Sequence, residues 1–392
     1  MTFPERFSAL PDYAFPRLRK LLEPIAPGGP VIDMTIGEPK HAFPAWVGDV
    51  IAENLAGFGR YPANDGTPEL LAAIAAWITR RYGVTLDAST QIMALNGTRE
   101  GLFNAGIALC PEQKNGAKPV VLMPNPFYQA YALAALAVSA EPIYVAATAS
   151  NAFLPDYSNL PRDVLDRTAL CYICSPANPQ GSVASRDYWR DLIALAEHHD
   201  FQILADECYS EIYRDTPPYG ALQAAKEFAA DPERIVVFNS LSKRSSLPGL
   251  RAGFVAGGPE SIKRIKQLRA FAGAPLPLPL QAVATRAWQD EVHVSESRAL
   301  YNEKFDIAAR VFAGLQAYHA PDAGFFLWLP VADDETAVTT LWQKTGVKML
   351  PGSYLSRTVD NQNPGKGYIR VALVGPASET EQGLTALRDT LY

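Results

Sequence analysis

The sequence has few cysteines, no excess of basic residues and no long apolar run. Only 4 of its 392 residues are cysteine, and a chain of this length buries a stable core without disulfide or metal staples. Acidic residues outnumber basic residues by 41 to 35, for a formal net charge of −6, whereas a nucleic-acid-binding surface needs a basic excess. No stretch approaches the roughly 20 apolar residues that span a bilayer. We therefore expect a folded globular protein that binds neither nucleic acid nor membrane.

The amino terminus also lacks the apolar run of an export signal. It reads MTFPERFSALPDYAFPRLRK, with no apolar block behind a basic patch. Cytoplasmic proteins keep their thiols reduced. We therefore expect a cytoplasmic protein with free cysteines.

Two of the cysteines, Cys171 and Cys174, have the C-x-x-C spacing of redox and zinc sites. They lie in the apolar run 169–174, which predicts a buried strand, and residues three apart on a strand point to opposite faces. No second pair of cysteines or histidines follows at zinc-ligand spacing. We therefore expect no metal site.

The middle of the chain alternates short apolar runs with longer amphipathic segments. The segments 69–77 and 191–197 have apolar residues at helical spacing. The apolar runs that predict strands are 120–123, 169–174, 202–205 and 235–238. This alternation predicts an α/β fold with a mostly parallel sheet and helices on both faces.

The carboxyl-terminal third has a different pattern. Pro275, Pro277 and Pro279 interrupt regular structure, and a helical pattern then runs from 281 to about 317. Strand-like runs follow at 324–329 and 368–373. We predict a large domain over residues 46–280 and a smaller α+β domain built from residues 281–392 together with 1–45.

Three of the predicted strands run into polar residues where each strand ends. These residues are Asn178, Asp206 and the group Ser240, Ser242 and Lys243. Alone, each would be read as a turn or a helix cap. Because the carboxyl ends of parallel strands meet at one edge of the sheet, where ligands bind, we expect these residues to form one site.

The order and spacing of the polar residues resemble a known family. Asp206 is followed by Tyr209, then by Lys243, then by Arg251. This series resembles the class I and II aminotransferases of fold type I, which use pyridoxal phosphate. Other matching stretches cover nearly the whole chain: 61–66, 97–100, 126–128 and 370–373.

The resemblance implies a role for each residue around the cofactor ring. Lys243 would supply the amine that bonds to the cofactor's aldehyde. Asp206 would face the pyridine nitrogen and keep it protonated. Asn178 and Tyr209 would donate hydrogen bonds to the ring's phenolate oxygen, and Tyr128 would stack on the ring. Lys243, Asp206 and Tyr209 are therefore the expected catalytic residues.

The resemblance also implies a phosphate site and a homodimer. Backbone amides at a helix start, hydroxyl groups and a guanidinium suit a phosphate. The matching residues are Gly97, Thr98, Arg99, Ser240, Ser242 and Arg251. Tyr61 matches a tyrosine that in relatives reaches the phosphate bound by the neighbouring subunit, so we expect a homodimer with shared active sites.

The implied substrates are an amino acid and a 2-oxo acid that exchange an amino group in a ping-pong reaction. Arg370 would bind the substrate α-carboxylate, because a guanidinium fork fixes both charge and orientation. Gly37 and Asn178 would contact the substrate beside it.

Three longer stretches resemble the succinyldiaminopimelate aminotransferases of proteobacteria: 125–131, 240–257 and 350–374. This narrower resemblance implies lysine and diaminopimelate biosynthesis, with N-succinyl-L,L-diaminopimelate and 2-oxoglutarate as substrates. Gln180 and Ser246 depart from that pattern. An aspartate or broad-range aminotransferase is the alternative. A binding protein that kept the fold without catalysis would lack the lysine or the carboxylate, and this chain has both.

Overall fold

The computed structural model describes residues 5–8, 10, 13–316 and 318–392. The strands are β1 (Ile32–Asp33), β2 (Ile92–Leu95), β3 (Val120–Asn125), β4 (Glu141–Ala146), β5 (Thr168–Cys174), β6 (Gln202–Asp206), β7 (Ile235–Ser240), β8 (Gly253–Gly257), β9 (Phe326–Pro330), β10 (Val347–Lys348), β11 (Leu350–Pro351) and β12 (Tyr368–Ala372). The α-helices are α1 (Ala14–Leu22), α2 (Val47–Glu53), α3 (Pro68–Tyr82), α4 (Thr98–Leu109), α5 (Gln129–Ala137), α6 (Arg162–Arg167), α7 (Arg186–His199), α8 (Ala221–Glu227), α9 (Leu241–Arg244), α10 (Pro259–Ala272), α11 (Leu278–Gln289), α12 (Val292–Val311), α13 (Asp334–Thr345) and α14 (Ala377–Leu391).

The largest sheet has seven strands in the order β2-β8-β7-β6-β5-β3-β4. Every neighbouring pair is parallel except the two pairs that include β8. The four strands predicted from the apolar runs are β3, β5, β6 and β7. The predicted α/β fold with a mostly parallel sheet is confirmed.

Both faces of this sheet are buried, which explains why its strands read as continuous apolar runs. Along β7, Ile235 and Val237 pack into the core on one face, and Val236 and Phe238 pack into the core on the other. Helices α3, α7 and α11 cover the first face, and α4 and α5 cover the second. The carboxyl ends of the strands are therefore the part of the sheet that polar ligands can reach.

The two cysteines of the C-x-x-C spacing lie apart in this arrangement. Cys171 belongs to the core under one face of the sheet, and Cys174 packs against a different cluster in the carboxyl-terminal part. Among the described residues there is no group of three or more histidine, cysteine or acidic side chains that could hold a metal ion.

The carboxyl-terminal part has its own small sheet, and the amino-terminal segment joins it. Strands β11, β12 and β9 pair antiparallel. Strand β1 pairs parallel with β10, and the buried face of α1 shares a core with α13 and α14. This pairing brings the segment after β1 close to Arg370 on β12.

The helical pattern predicted from 281 to about 317 is wrong as a single element. Helix α11 ends at Gln289 and α12 starts at Val292. Asp290 lies between them with extended backbone, and its Oδ1 accepts a hydrogen bond from the amide of Val292 at 2.8 Å. The helix α12 ends at Val311, and position 317 lies outside the described residues.

The domain division at residue 280 stays a prediction, and α11 bears on where to place it. Pro277 and Pro279 start this helix, as proline often does at a helix amino terminus. Val283 and Trp288 of α11 lie in the core under the large sheet. We therefore propose that the large domain extends through α11.

In the part of the chain that the structure describes, no helix is long and apolar enough to cross a bilayer.

Replacing Trp288 with alanine tests the packing of α11. The Trp288 side chain is fully buried, with its ring 4.8 Å from that of Trp77 and 5.2 Å from that of Phe254. We expect Trp288→Ala to lower the free energy of unfolding by about 3–5 kcal/mol, because it leaves a large cavity. Urea denaturation measures the free energy of unfolding. The exposed Val292 gives the control: Val292→Ala should change it by less than about 0.5 kcal/mol.

Candidate active site

A cavity of about 300 Å³ opens at the carboxyl ends of β5 and β6 and beside α9. It lies where three chain segments leave the sheet edge, so the polar residues that follow the strands meet there. Its lining includes the predicted residues Gly37, Thr98, Arg99, Tyr128, Asn178, Asp206, Tyr209, Lys243 and Arg370. The structure therefore brings these nine residues together around one cavity, and their roles stay predictions.

Asp206, the last residue of β6, is a buried carboxylate at the base of this cavity. Its Oδ2 accepts a hydrogen bond from the Tyr131 hydroxyl at 2.8 Å, and its Oδ1 accepts one from the Cys208 amide at 3.3 Å. Burial raises the pKa of Asp206, and these hydrogen bonds and the positive charge of Lys243 oppose the rise. A cationic group placed against this carboxylate would favour its ionised form.

Tyr131 is a site residue that the sequence did not reveal as such. The Tyr131 ring stacks on the Tyr172 ring, with 4.5 Å between the ring centres, which is a packing contact. Its hydroxyl nevertheless donates to Asp206. The available signal was proximity in sequence, because Tyr131 lies three residues after the predicted stacking residue Tyr128, which immediately precedes α5.

Lys243, in the short helix α9, extends its side chain into the cavity. Its Nζ donates a hydrogen bond to the Gly37 carbonyl and lies 5.3 Å from the centre of the Phe325 ring. Burial, together with the positive charges of Arg370 and Arg251, lowers the pKa of Lys243 to about 8, against the opposing effect of Cys208 and Glu38. A lowered pKa increases the fraction of neutral amine, which is the nucleophilic form.

Asn178 links Tyr209 to Arg370. The Arg370 guanidinium donates to Asn178 Oδ1 at 3.1 Å and to the Thr35 carbonyl at 2.8 Å. Asn178 Nδ2 in turn donates to the Tyr209 hydroxyl at 3.2 Å. Burial raises the pKa of the Tyr209 hydroxyl. The three side chains therefore form a continuous polar wall on one side of the cavity.

Arg370 is a buried cation without a carboxylate partner among the described residues. Its Nε is buried and has no hydrogen-bond partner, and its guanidinium lies 4.3 Å from the centre of the Phe326 ring. Burial lowers its pKa to about 10. A carboxylate ligand would satisfy both its charge and its free donor.

A second cavity, which shares Lys243 with the first, gathers residues suited to an anion. Its lining includes Thr98, Arg99, Tyr128, Ser240, Ser242, Lys243 and Arg251. Thr98 is the first residue of α4, where backbone amides are free to bind an anion. Ser240 Oγ accepts a hydrogen bond from the Ser242 amide at 3.1 Å and so fixes the turn before Lys243.

Gly97 makes room for the Arg251 guanidinium. A Cβ on Gly97 would lie 2.1 Å from a terminal nitrogen of Arg251, and Gly97 has a φ of 82°. The positive φ favours glycine at this position, and a Cβ here would push the Arg251 guanidinium aside. The close approach keeps Arg251 beside the start of α4.

Arg99 and Tyr61 differ from the other predicted cofactor-binding residues in what their side chains contact. The Arg99 side chain turns to Tyr128, with its Nε donating to the Tyr128 hydroxyl at 2.6 Å, so its backbone amide is the part next to the start of α4. Tyr61 is fully exposed, at 101% of its reference area, and does not line either cavity. Neither position could be read from the sequence, because each depends on how separate elements pack.

Comparisons with known proteins agree with this geometry. A family model for aminotransferase class I and II matches residues 29–387. The chain belongs to the class I and II aminotransferase family. An LL-diaminopimelate aminotransferase of Dehalococcoides mccartyi is 32% identical over 400 residues, covering 99% of this chain and 98% of the relative.

Solved aminotransferase structures match over almost the whole chain. An aminotransferase from Neisseria meningitidis is 37% identical, with a TM-score of 0.94 and coverage of 99% of both chains. The aminotransferase AspB from Helicobacter pylori is 32% identical, with a TM-score of 0.89 and the same coverage. The structural match therefore includes both the large sheet and the carboxyl-terminal part of this chain.

Aminotransferases of this family depend on pyridoxal phosphate, and the residues present here fit that cofactor. The buried Asp206 lacks a cationic partner within ion-pair distance among the described residues. The cradle formed by Gly97, Arg251 and the start of α4 suits a phosphate. Lys243 lies between these two features.

Replacing Gly97 with alanine should weaken the binding of pyridoxal phosphate. The added Cβ would displace Arg251 and strain a left-handed backbone. We expect at least about a tenfold rise in the dissociation constant, equivalent to about 1.4 kcal/mol, measured by titrating the apoenzyme. Gly48 has open space around its Cβ position, so Gly48→Ala should leave the constant unchanged. Equal constants for the two variants would contradict the assignment of the cradle.

Proposed function

We propose that this aminotransferase uses pyridoxal phosphate to move an amino group between an amino acid and 2-oxoglutarate in a ping-pong reaction. The observation that carries the proposal is the buried Arg370, whose Nε has no partner, in the same cavity as Lys243 and Asp206. A free guanidinium donor beside a lysine of lowered pKa suits a substrate with a carboxylate next to its reacting carbon.

Five residues would hold the cofactor ring. Lys243 would bond to its aldehyde, Asp206 would pair with its nitrogen, and Tyr128 would stack on its face. Asn178 and Tyr209 would donate to its phenolate oxygen. When bound, pyridoxal phosphate draws electrons from the substrate α-carbon and so acidifies it.

The phosphate would lie at the start of α4, in the second cavity. The proposed contacts are Gly97, Thr98, Arg99, Ser240, Ser242 and Arg251, with Tyr61 contributed by a partner subunit. For Arg99, the contact is the backbone amide, since its side chain is engaged with Tyr128.

Lys243 would also move the proton. Once the substrate amine replaces it, the Lys243 amine is free to take the proton from the α-carbon, and its lowered pKa of about 8 suits a base near neutral pH. The Gly37 carbonyl accepts a hydrogen bond from Lys243 Nζ and so restricts its direction. Arg370 would bind the α-carboxylate of both substrates, because one site serves both half-reactions.

We also propose a homodimer. Tyr61 is an aromatic residue with no cover in its own chain, and the preceding segment exposes Leu55 and Phe58, each at 56%. Exposed apolar side chains close together in sequence are typical of a contact surface. When a second copy of the chain packs against this segment, Tyr61 would extend towards the phosphate site of that second copy.

For the amino donor we propose N-succinyl-L,L-diaminopimelate. The relatives named for LL-diaminopimelate support the carbon skeleton. Asp206 is the sole acidic residue among the described residues that line the main cavity, beside the cationic Arg99, Lys243 and Arg370. A free ammonium at the far end of the substrate would have no lining carboxylate to pair with, whereas an acylated nitrogen is neutral and needs none.

Unacylated LL-diaminopimelate is the second candidate, because several relatives carry its name at 28–32% identity.

A comparison of three donors tests the substrate. We expect purified enzyme with 2-oxoglutarate to form glutamate from the succinylated donor with a kcat/KM about 10- to 100-fold above that for LL-diaminopimelate or aspartate. An unpaired polar group in a closed site costs about 1–3 kcal/mol, which corresponds to that range. Lys243→Ala is the inactive control. Faster turnover of the unacylated donor would overturn the succinyl assignment, and no glutamate from any donor would overturn the proposed reaction.

A further inference from the structure

A buried lysine contacts a histidine behind the loop that borders the cavity. Lys304, in α12, is 2% exposed, and its Nζ lies 2.5 Å from His41 Nε2. No carboxylate in the described ranges forms an ion pair with Lys304. A buried lysine whose polar partner is a neutral ring is uncommon, because burial of an ammonium is costly unless its donors are used.

The loop that His41 ends carries two carbonyls into the active site. It follows β1 and comprises residues 34–41. The Thr35 carbonyl accepts a hydrogen bond from Arg370 at 2.8 Å, and the Gly37 carbonyl accepts one from Lys243. The loop therefore orients the proposed carboxylate-binding arginine directly through its main chain.

His41 provides a half-buried side-chain anchor at the far end of this loop. Between Gly37 and Trp46, the other side-chain link in the described structure is the contact of Lys40 with Glu379 at 4.0 Å, where both side chains are substantially exposed. Exposed ion pairs of this kind contribute little. At its start the loop is held by main-chain hydrogen bonds of Met34 to Lys348 and Ala372, and the bond between His41 and Lys304 ties its other end to α12.

A row of packed aromatic rings extends from His41 to Tyr209 in the candidate active site. The His41 ring centre lies 4.4 Å from that of Tyr301, which stacks on Phe325 at 5.5 Å. Phe325 packs edge-on against Tyr209 at 5.3 Å. A shift of His41 would therefore disturb both the loop and the packing beside Tyr209.

The protonation states suit a hydrogen bond at neutral pH. Burial lowers the pKa of His41 to about 4, so its ring is a neutral acceptor. Burial lowers the pKa of Lys304 to about 8, so at neutral pH it is mostly a charged donor.

We infer that His41 and Lys304 are positioning residues, which hold the loop of residues 34–41 so that the Thr35 carbonyl fixes the Arg370 guanidinium for the substrate α-carboxylate. This inference rests on the proposed function, because it takes Arg370 as the carboxylate-binding residue. The Thr35 contact does not involve Lys243, so it persists when Lys243 carries the cofactor.

His41→Ala and Lys304→Met test the inference in the holoenzyme. We expect each variant to raise the KM of the amino donor and of 2-oxoglutarate by the same factor, about tenfold, because both substrates place their α-carboxylate at Arg370. The kcat should change by less than about threefold. His41→Gln should restore most of the loss, since its amide oxygen can accept from Lys304. The exposed His198 supplies the control, and His198→Ala should leave both KM values unchanged.

Hydrogen exchange gives a readout that does not depend on activity. In His41→Ala the amides of residues 36–42 should exchange faster than in the wild type, while those of β6 and β7 should not. Wild-type KM values together with wild-type exchange in His41→Ala would overturn the inference. If the wild-type enzyme forms no glutamate, the proposed function fails, and the exchange measurement still decides whether His41 anchors the loop. If His41→Ala does not fold, Lys304→Met serves as the variant without the hydrogen bond, and His41→Gln serves as the variant that keeps it.

Discussion

The site depends on a carboxylate that the fold buries at the edge of the sheet. Asp206 ends β6 between β5 and β7, so its position follows from the strand order, and its side chain lies below the cavity with no cation within ion-pair distance among the described residues. Tyr131 and the Cys208 amide hold it in place. A buried, fixed carboxylate of this kind favours a cationic ring above it, and we propose that the pyridinium nitrogen of the cofactor takes that position.

The rest of the site complements anions. Arg251 lies beside the start of α4 and Arg370 lies on β12 with a free donor, so cationic groups flank Lys243 on both sides. The two arginines belong to different parts of the chain. The amino-terminal segment connects Arg370 with Lys243, because β1 pairs with β10 and the loop after β1 contacts both side chains. The geometry of the substrate cavity therefore depends on how these two parts meet.

Much of this arrangement is predictable from the sequence, for definite physical reasons. Apolar runs buried on both faces identified β3, β5, β6 and β7, and polar residues at their ends identified Asn178, Asp206 and Lys243. Contacts between distant elements were not predictable. The donation from Tyr131 to Asp206 requires α5 to pack beside β6, and the bond between Lys304 and His41 requires α12 to pack against a loop. The break at Asp290 was missed because apolar spacing continues across it, although Asp290 has extended backbone and accepts a hydrogen bond from the Val292 amide.

The most direct test of the account is to find which lysine carries the cofactor. Purified holoenzyme would be treated with borohydride, which reduces the bond between lysine and cofactor to a stable one, and then digested and mapped by mass spectrometry. The account predicts the pyridoxyl adduct on the peptide that contains Lys243. An adduct on another lysine, such as the buried Lys304, with Lys243 unmodified, would contradict it.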